Sequence, residues 1–426
     1  MKGELLMESQ KLKKLLMEQK EKTNLERKRL YALFLKRKRI EANVTLTELA
    51  KGVCTASYLS RIENNVVDVD EEYFTALFRK LNIDFKVLKE AKDYRILESL
   101  LECYLLNDLD KGRLIVEEAL STTFYVEIEY ELMILFDSII KGLYSEANEE
   151  IIKLSGKVDL LIDEELITYL FLCGYYAYKI GNGVFAFDQI LVLCESNHLD
   201  GVYKYAIYDL ALDIFIYTGM HEMFFKYYRL ISDEDYKTKY NVSFLKHKAQ
   251  LVYLEYNLRK DITHKQLTEI KYLIDENEQE NIEWLILKNY YRFNDYYSII
   301  SVLKREDPTP RTLALEAAVC LKIERPEYFT NFLKRRGMIN FETKDYHYEK
   351  ICNIFTMIRQ GINSSEVLRQ LRDLLDDEII RYHESFFLNI IKVIYAEYAF
   401  KIGKYKDVAS KLIEIEKRQH SLPYFR

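Results

Sequence analysis

Glycine and proline are so scarce in this chain that few backbone structures other than the α-helix are open to it. Only 13 Gly and 4 Pro occur among 426 residues, whereas globular proteins average about 7% and 5%. Because these residues make most turns, bulges and loops, their scarcity predicts a chain that is almost entirely helical. The hydrophobic fraction is 49%, which is enough for a large core, and the length exceeds what one compact domain usually holds.

A weak internal repeat indicates how these helices are arranged. The segment Tyr-Ala-Tyr-Lys-Ile-Gly at 176–181 recurs as Tyr-Ala-Phe-Lys-Ile-Gly at 398–403, and in each copy the glycine can turn the chain into a second helix. Further turns are predicted near Gly142, Gly219, Lys260, Asn294, Glu324 and Gly361. Their separation of about 30 to 42 residues is typical of stacked helical hairpins of the tetratricopeptide class. About seven to nine hairpins would form a curved α-solenoid with a concave surface.

Residues 45–64 carry a different pattern, that of two short helices joined by a tight turn. Thr45 is a predicted N-cap and Glu48 completes a capping box. Gly52 ends the first helix, and Thr55 caps the second. The inward faces are predicted to be Leu46, Leu49 and Ala50, then Leu59 and Ile62. This layout is the one that places a helix in the DNA major groove. The alternative is a helical hairpin that only packs within the protein.

The same residues resemble the Xre and lambda-repressor class of helix-turn-helix domains. More narrowly, they resemble the Rgg/PlcR type of peptide-responsive regulators, the RRNPP group. The narrower resemblance rests on the short turn Gly52-Val53-Cys54, which leads into Ser57-Tyr58-Leu59-Ser60-Arg61-Ile62-Glu63-Asn64. It continues through Asp70 as a cap and through the apolar spacing of Phe74, Leu77, Phe78, Leu81 and Ile83. Two departures are Lys38, where an apolar residue is usual, and Asn65 in place of glycine.

The resemblance implies an organisation and a function for the whole chain. Residues 1–25 are a charged leader that is helical or loose, residues 26–89 are the helix-turn-helix domain, and residues 90–426 are a tetratricopeptide-like repeat domain. What the resemblance implies is a homodimeric, quorum-sensing type of transcription regulator that binds near-palindromic double-stranded DNA. Its repeat domain would bind a short signalling peptide and dimerise. The alternatives are repeats that dock a protein partner instead, or a scaffold protein.

The predicted DNA contacts lie on and around the second helix of this segment. Ala56, Ser57, Tyr58 and Arg61 are predicted to face the groove, where Ser57 and Tyr58 would touch base edges and Arg61 a guanine or a phosphate. Phosphate contacts are predicted for Thr45, Thr55 and Asn64, and for Arg37 and Arg39 of the preceding basic helix. The charge distribution supports DNA contacts in this part of the chain, because residues 1–90 hold 19 Lys and Arg against 14 Asp and Glu in a chain of net charge −6.

Peptide contacts are predicted on the first helix of several hairpins, which lines the concave surface in the tetratricopeptide class. The 35 tyrosines of the chain suit this use, since tyrosine buries a large area and keeps a hydroxyl for a peptide backbone. Packing between hairpins is the alternative for each position. The predicted contacts are Phe171, Tyr175, Tyr178, Asp209, Asp213, Tyr253, Tyr256, Trp284, Lys288 and Tyr291.

Signatures of catalysis are missing from the sequence. The seven histidines form no H-E-x-x-H spacing, and there is no G-x-x-x-x-G-K-[ST], G-x-G-x-x-G or G-x-S-x-G segment. The six cysteines form no C-x-x-C pair, which predicts reduced thiols instead of a disulfide frame or a zinc site. We therefore expect no enzymatic activity, cofactor or metal. Without a signal-like N-terminus or a long uncharged apolar run, the chain is expected to be cytoplasmic and not bound to a membrane.

Overall fold

The computed structural model describes residues 26–64, 66–67, 69–85, 95–121, 127–158, 161, 163–196, 199–255, 259–304, 307–342, 345–376 and 384–420. Across these ranges the regular elements are helices and there is no strand, which confirms the all-α fold predicted from the sequence. The charged leader, Asn65 and Tyr256 lie outside the described residues.

Between residues 26 and 85 the described part of the chain has four helices: α1 (Glu26–Glu41), α2 (Leu46–Ala50), α3 (Ala56–Glu63) and α4 (Glu71–Lys80). The predicted caps of α2 and α3 are confirmed. Thr45 Oγ1 accepts from the Glu48 amide at 3.2 Å while Glu48 Oε2 accepts from the Thr45 amide at 2.8 Å. Thr55 Oγ1 accepts from the Tyr58 amide at 3.2 Å. Gly52 has φ +78°, so the turn uses a left-handed backbone that glycine adopts without strain.

The core of these four helices follows the predicted apolar spacing. Leu49, Ala50, Leu59 and Ile62 are buried, together with Phe74, Leu77 and Phe78 of α4. Lys38 is half-exposed and pairs with Glu41 at 2.7 Å, so a lysine at this position leaves the register of α1 intact. Asp70 stands at the N-cap of α4 without a side-chain capping hydrogen bond.

The helices after Arg95 come in antiparallel pairs. The first four pairs are α5 (Arg95–Leu105) with α6 (Leu109–Ser121), α7 (Glu127–Ile140) with α8 (Tyr144–Ser155), α9 (Asp163–Lys179) with α10 (Gly183–Cys194), and α11 (Gly201–Thr218) with α12 (His221–Ile231). The short helix α13 (Glu234–Lys239) follows them. The other five pairs are α14 (Asn241–Glu255) with α15 (Lys260–Leu273), α16 (Glu276–Arg292) with α17 (Tyr296–Leu303), α18 (Pro310–Lys322) with α19 (Pro326–Arg336), α20 (Tyr346–Arg359) with α21 (Ser364–Asp376), and α22 (Ser385–Lys401) with α23 (Tyr405–His420). These described pairs number nine, within the range that the repeat predicted.

Most hairpin turns share one hydrogen-bond pattern. At Gly181 the amide donates to the Tyr178 carbonyl at 3.1 Å, and the next amide, of Asn182, donates to the Ala177 carbonyl at 2.8 Å. This is the bonding of a helix that ends at a left-handed residue. The left-handed residues of the hairpin turns are Asn107, Gly142, Gly181, Gly219, Asn294, Gly361 and Gly403. The turns predicted at the five glycines and at Asn294 are thereby confirmed, and the turn at Asn107 is an addition.

The chain divides into two compact units, residues 1–176 with 188–210 and residues 177–187 with 211–426. Within the second unit, α14 packs on α16, and α18 packs on both α19 and α20. Stacking of this kind buries apolar faces that a single hairpin leaves open. None of the described helices is both long enough and apolar enough to cross a membrane.

We expect the left-handed turns to contribute measurably to stability. Gly361 has φ +71°, and no atom lies within 4 Å of a Cβ built on it, so Gly361→Ala adds backbone strain without a clash. The expected loss in free energy of unfolding is about 1 kcal/mol, seen as a lower thermal midpoint by circular dichroism. Gly337→Ala is the control, because Gly337 ends α19 with φ −66°. Equal effects of the two substitutions would contradict the assignment.

Candidate nucleic-acid interface and repeat-segment pockets

Helix α3 has one face in the core and one face in solvent. Leu59 and Ile62 are 0% exposed, whereas Ser57 and Arg61 are exposed and Ala56 is half-exposed. Helices α1 and α2 both pack on α3, so its position is fixed by the core. The solvent face therefore presents a hydroxyl and a guanidinium, the groups that hydrogen-bond to base edges or phosphates.

Tyr58 differs in part from its predicted orientation. Its side chain is half-buried, and its ring lies edge-on to Tyr73 with 5.7 Å between centroids. Part of the Tyr58 ring is therefore covered by a contact within the domain, because Tyr73 of α4 lies beside it.

Arg39 was predicted to contact phosphate, and the structure gives it a different role. Its Nε and Nη2 donate to Glu63 Oε1 and Oε2 at 2.7 and 2.8 Å, and its Nη1 donates to the Val44 carbonyl at 3.1 Å. The Glu63 side chain is only 2% exposed. The hydrogen bonds that Arg39 donates to Glu63 raise the pKa of Arg39. Arg39 therefore fastens α3 to α1 from inside the domain.

Arg37 is a second correction to the predicted phosphate contacts. Its Nη2 lies 2.7 Å from Glu165 Oε2 and its Nη1 lies 3.4 Å from Glu165 Oε1. The two side chains are 3% and 2% exposed, so this guanidinium cannot reach DNA in the arrangement described. Glu165 belongs to α9 of the repeat segment, and both residues lie in the first compact unit.

The remaining predicted phosphate contacts stay at the surface. Thr45 and Thr55 are exposed and cap their helices. Asn64 is exposed; its Nδ2 donates to the Ser60 carbonyl at 2.8 Å and its Oδ1 accepts from Lys36 Nζ at 3.1 Å. Thr55 and Asn64 lie at the two ends of α3, and Thr45 lies at the start of α2.

Lys80 positions the turn, and the sequence reading missed it. Its Nζ donates to the carbonyls of Glu48, Leu49 and Lys51 at 3.2, 2.7 and 2.6 Å. A cation is favoured there because the last carbonyls of α2 carry the negative end of the helix dipole. The sequence feature that could have indicated this role is a lysine at the last position of α4, the helix that follows α3. The carbonyls that it binds lie about 30 residues earlier in the chain.

Two pockets lie within the second compact unit. The first, here called the charged pocket, is lined by Tyr178, Asp213, Lys246, Gln250, Trp284, Lys288, Arg311 and Glu384, among others. The second, here called the aromatic groove, has a volume of about 480 Å³ and is lined by Tyr253, Tyr291, Arg292, Phe386 and their neighbours. Lys288 lines both. Six predicted peptide contacts line these two spaces: Tyr178, Asp213, Tyr253, Trp284, Lys288 and Tyr291.

Three other predicted peptide contacts are corrected by the structure. Phe171 and Tyr175 are 0% and 4% exposed, and both rings pack against the Tyr104 ring with centroids 5.1 and 5.2 Å away. Asp209 is 1% exposed and accepts from the Tyr104 hydroxyl at 2.9 Å. These side chains of α9 and α11 belong to the core of the first unit, because Tyr104 of α5 packs against them.

A buried carboxylate organises the charged pocket. Glu384 is 1% exposed and accepts from Lys288 Nζ at 2.8 Å and from Trp284 Nε1 at 2.5 Å. Arg311 donates to both of its oxygens at 2.9 and 3.0 Å. Burial alone would raise the pKa of Glu384, but Arg311 and Lys288 together bring it well below its usual range.

A second ion pair lies opposite, formed by Asp213 and Lys246. Lys246 Nζ is 2.8 Å from Asp213 Oδ2, and Gln250 Nε2 donates to Asp213 Oδ1 at 2.9 Å. Burial, and then the charge of Asp213, raises the pKa of Tyr178 above its usual range. Tyr178 therefore stays protonated and can donate a hydrogen bond into the pocket.

Comparison with known proteins bears on the N-terminal part. Residues 35–88 match the family model described as HTH_3: Helix-turn-helix. The match spans α2 and α3 with their capped turn, the layout that in helix-turn-helix domains places a helix in the DNA major groove. No curated protein matches the chain.

One solved structure resembles the chain weakly. It is the crystal structure of Bacillus thuringiensis PlcR in complex with the peptide PapR7 and DNA, with 14% identity over 62% of this chain and 95% of that chain, and a TM-score of 0.28. At this TM-score the two chains do not superpose well enough to support a shared mode of action. Among the described residues no group of three or more His, Cys, Asp or Glu side chains could hold a metal ion.

Glu384 should be essential for the stability of the second unit. Glu384→Gln leaves the buried Lys288 and the half-buried Arg311 without the charge of Glu384, so we expect the free energy of unfolding to fall by about 3 kcal/mol at pH 7. The folded-state pKa of Glu384 is lowered. Its contribution is therefore present above the unfolded carboxyl pKa of about 4.3 and is lost as the pH falls toward the folded value.

Urea unfolding of both proteins between pH 7 and pH 3 would measure this. The control is Glu397→Gln, because Glu397 is 51% exposed and lies 3.5 Å from Lys322, a pair of the kind that contributes little. A Glu384→Gln protein as stable as wild type at pH 7 would contradict the role given to the carboxylate.

Proposed function

We propose that this chain is a sequence-specific transcription regulator whose DNA binding is controlled by a short signalling peptide bound by the repeat segment. Residues 26–89 would read DNA, and residues 90–426 would bind the peptide and dimerise. Two copies would place their α3 helices in successive major grooves of a near-palindromic site, roughly 34 Å apart. The single observation that carries the proposal is the exposed polar face of α3 on a helix-turn-helix domain.

The contact between Arg37 and Glu165 supports control by the repeat segment. It is buried and doubly hydrogen-bonded, and it joins the first helix of the reading domain to α9. A ligand that moved the repeat helices would act on this contact. Such coupling is allosteric when two sites bias one two-state element.

The aromatic groove and the charged pocket support a peptide as that ligand. They combine aromatic walls with a small number of placed polar groups, the usual make-up of a ligand site. Six side chains chosen from helical spacing line them. Tyrosine hydroxyls and the Gln250 and Asn389 amides are suited to peptide backbone groups.

Removing the exposed polar groups of α3 should weaken specific DNA binding. Ser57→Ala with Arg61→Ala is expected to weaken binding to the upstream region of the chain's own gene by about 10- to 100-fold, since a base-edge arginine contributes about 1 to 3 kcal/mol. Fluorescence anisotropy at physiological salt measures the affinity. Arg79→Ala is the matched control, because Arg79 is exposed on α4 outside the reading face. Undiminished binding by the double variant would reject the assignment of α3.

Weakening the contact between Arg37 and Glu165 should favour a phosphate contact by Arg37. In Glu165→Gln the guanidinium loses the charge of Glu165, so we expect tighter non-specific DNA binding. The slope of log K against log salt should steepen by about 0.9, the value for one phosphate. Titrations at four salt concentrations measure the slope. Glu118→Gln, an exposed carboxylate of α6, is the control, and an unchanged slope in Glu165→Gln would show that Arg37 does not reach DNA.

A further inference from the structure

The walls of the aromatic groove are apolar along most of its length. The Tyr291 and Phe386 ring centroids are 5.4 Å apart, and Tyr253 completes the aromatic wall. Aliphatic side chains also line the groove: Ile216, Leu254, Ile390, Val393 and Ile394. A surface of this kind takes apolar side chains, while polar side chains on its walls such as Asn389 can bond to a peptide backbone.

Arg292 is a fixed cation in this apolar setting. It is the last residue of α16; its Cζ lies 3.9 Å from the Tyr253 ring centroid, and its Nη1 donates to the Tyr253 carbonyl at 2.9 Å. In the described part of the chain no carboxylate pairs with it. A guanidinium has five N–H donors, so most of them remain for a ligand. Stacking on Tyr253 also holds the group in place before any ligand binds.

Charge around the groove is positive, although the chain as a whole is negative. The side chains lining the two pockets include Lys246, Lys288, Arg292, Arg311 and Lys322, against the two carboxylates Asp213 and Glu384. The net charge of the chain is −6. Burial, then Arg292 and Lys288, lowers the pKa of His221 at the groove. An excess of cations at this point favours an anionic ligand.

We propose that Arg292 binds the free C-terminal carboxylate of a short apolar peptide lying in the aromatic groove. A carboxylate matches the planar guanidinium with two parallel hydrogen bonds. A terminal carboxylate leaves the peptide on one side only, where its apolar side chains meet Tyr253, Tyr291 and Phe386. An acidic side chain would instead require peptide backbone on both sides of Arg292. This inference rests on the proposed function, and it specifies the ligand's chemistry.

Three synthetic peptide pools test it on the full-length chain. Each contains heptapeptides randomised over Gly, Ser, Val, Leu, Ile and Phe, and the pools carry a free C-terminus, a C-terminal amide, or an amide with one internal Glu. Retention is measured by affinity selection with mass-spectrometric quantification. We expect the free-acid pool to be retained about 10- to 100-fold better than either amide pool, as for a charge-assisted hydrogen bond.

Arg292→Gln should lower retention of the free-acid pool to the level of the amide pool. Arg372→Gln is the matched control, because Arg372 is exposed on α21 and lines neither pocket. A thermal midpoint within the wild-type range establishes that Arg292→Gln is folded. The comparison of pools on the wild-type chain does not depend on either variant.

Each other outcome overturns a defined claim. Equal retention of the acid and amide pools would overturn the carboxylate contact and leave peptide binding intact. Retention of the Glu-containing amide pool at the free-acid level would overturn the C-terminal assignment. If no pool were retained, both this inference and the peptide part of the proposed function would fail, while DNA binding by α3 is decided separately by the Ser57 and Arg61 substitutions.

Discussion

Each helical hairpin of the repeat segment has an apolar face that only another helix can cover, and this constraint organises the molecule. In α18 every residue from Leu313 to Cys320 is buried, because α17, α19 and α20 all pack against it. The recurring left-handed turn makes successive pairs alike. First helices such as α14 and α16 therefore lie side by side, which brings charged residues from distant parts of the sequence to one pocket.

Buried carboxylates then decide what the charged side chains can do. A carboxylate removed from water needs cations and hydrogen bonds close by. Glu63 forms an ion pair with Arg39, Glu165 pairs with Arg37, and Glu384 pairs with Arg311 and a lysine. Two of these pairs turn basic side chains of α1 into internal fastenings. The third supports the wall shared by the charged pocket and the aromatic groove. In the proposed function, arginine–carboxylate pairs therefore occur both in the DNA-reading domain and beside the ligand pockets.

Sequence reasoning succeeded where the signal is local. The caps of α2 and α3 and the turns at Gly142, Gly181 and Gly403 depend on residues a few positions apart. It succeeded only in part on α9, where Phe171 and Tyr175 are in the core while Tyr178 lines a pocket. Helix α9 is buried on nearly every side, so periodicity gives no exposed face from which to choose.

The sequence by itself determined the helices, their ends, the hairpin period and the face of α3 that turns toward solvent. These features follow from backbone preferences and short-range side-chain contacts, which a linear pattern records. The tertiary structure decided which charged groups are paired and which remain for a ligand. The partners are 128 residues apart for Arg37 and Glu165, and 73 for Arg311 and Glu384. Pairing at such separations depends on how stacked helices meet in space, and a single sequence carries no local mark of it.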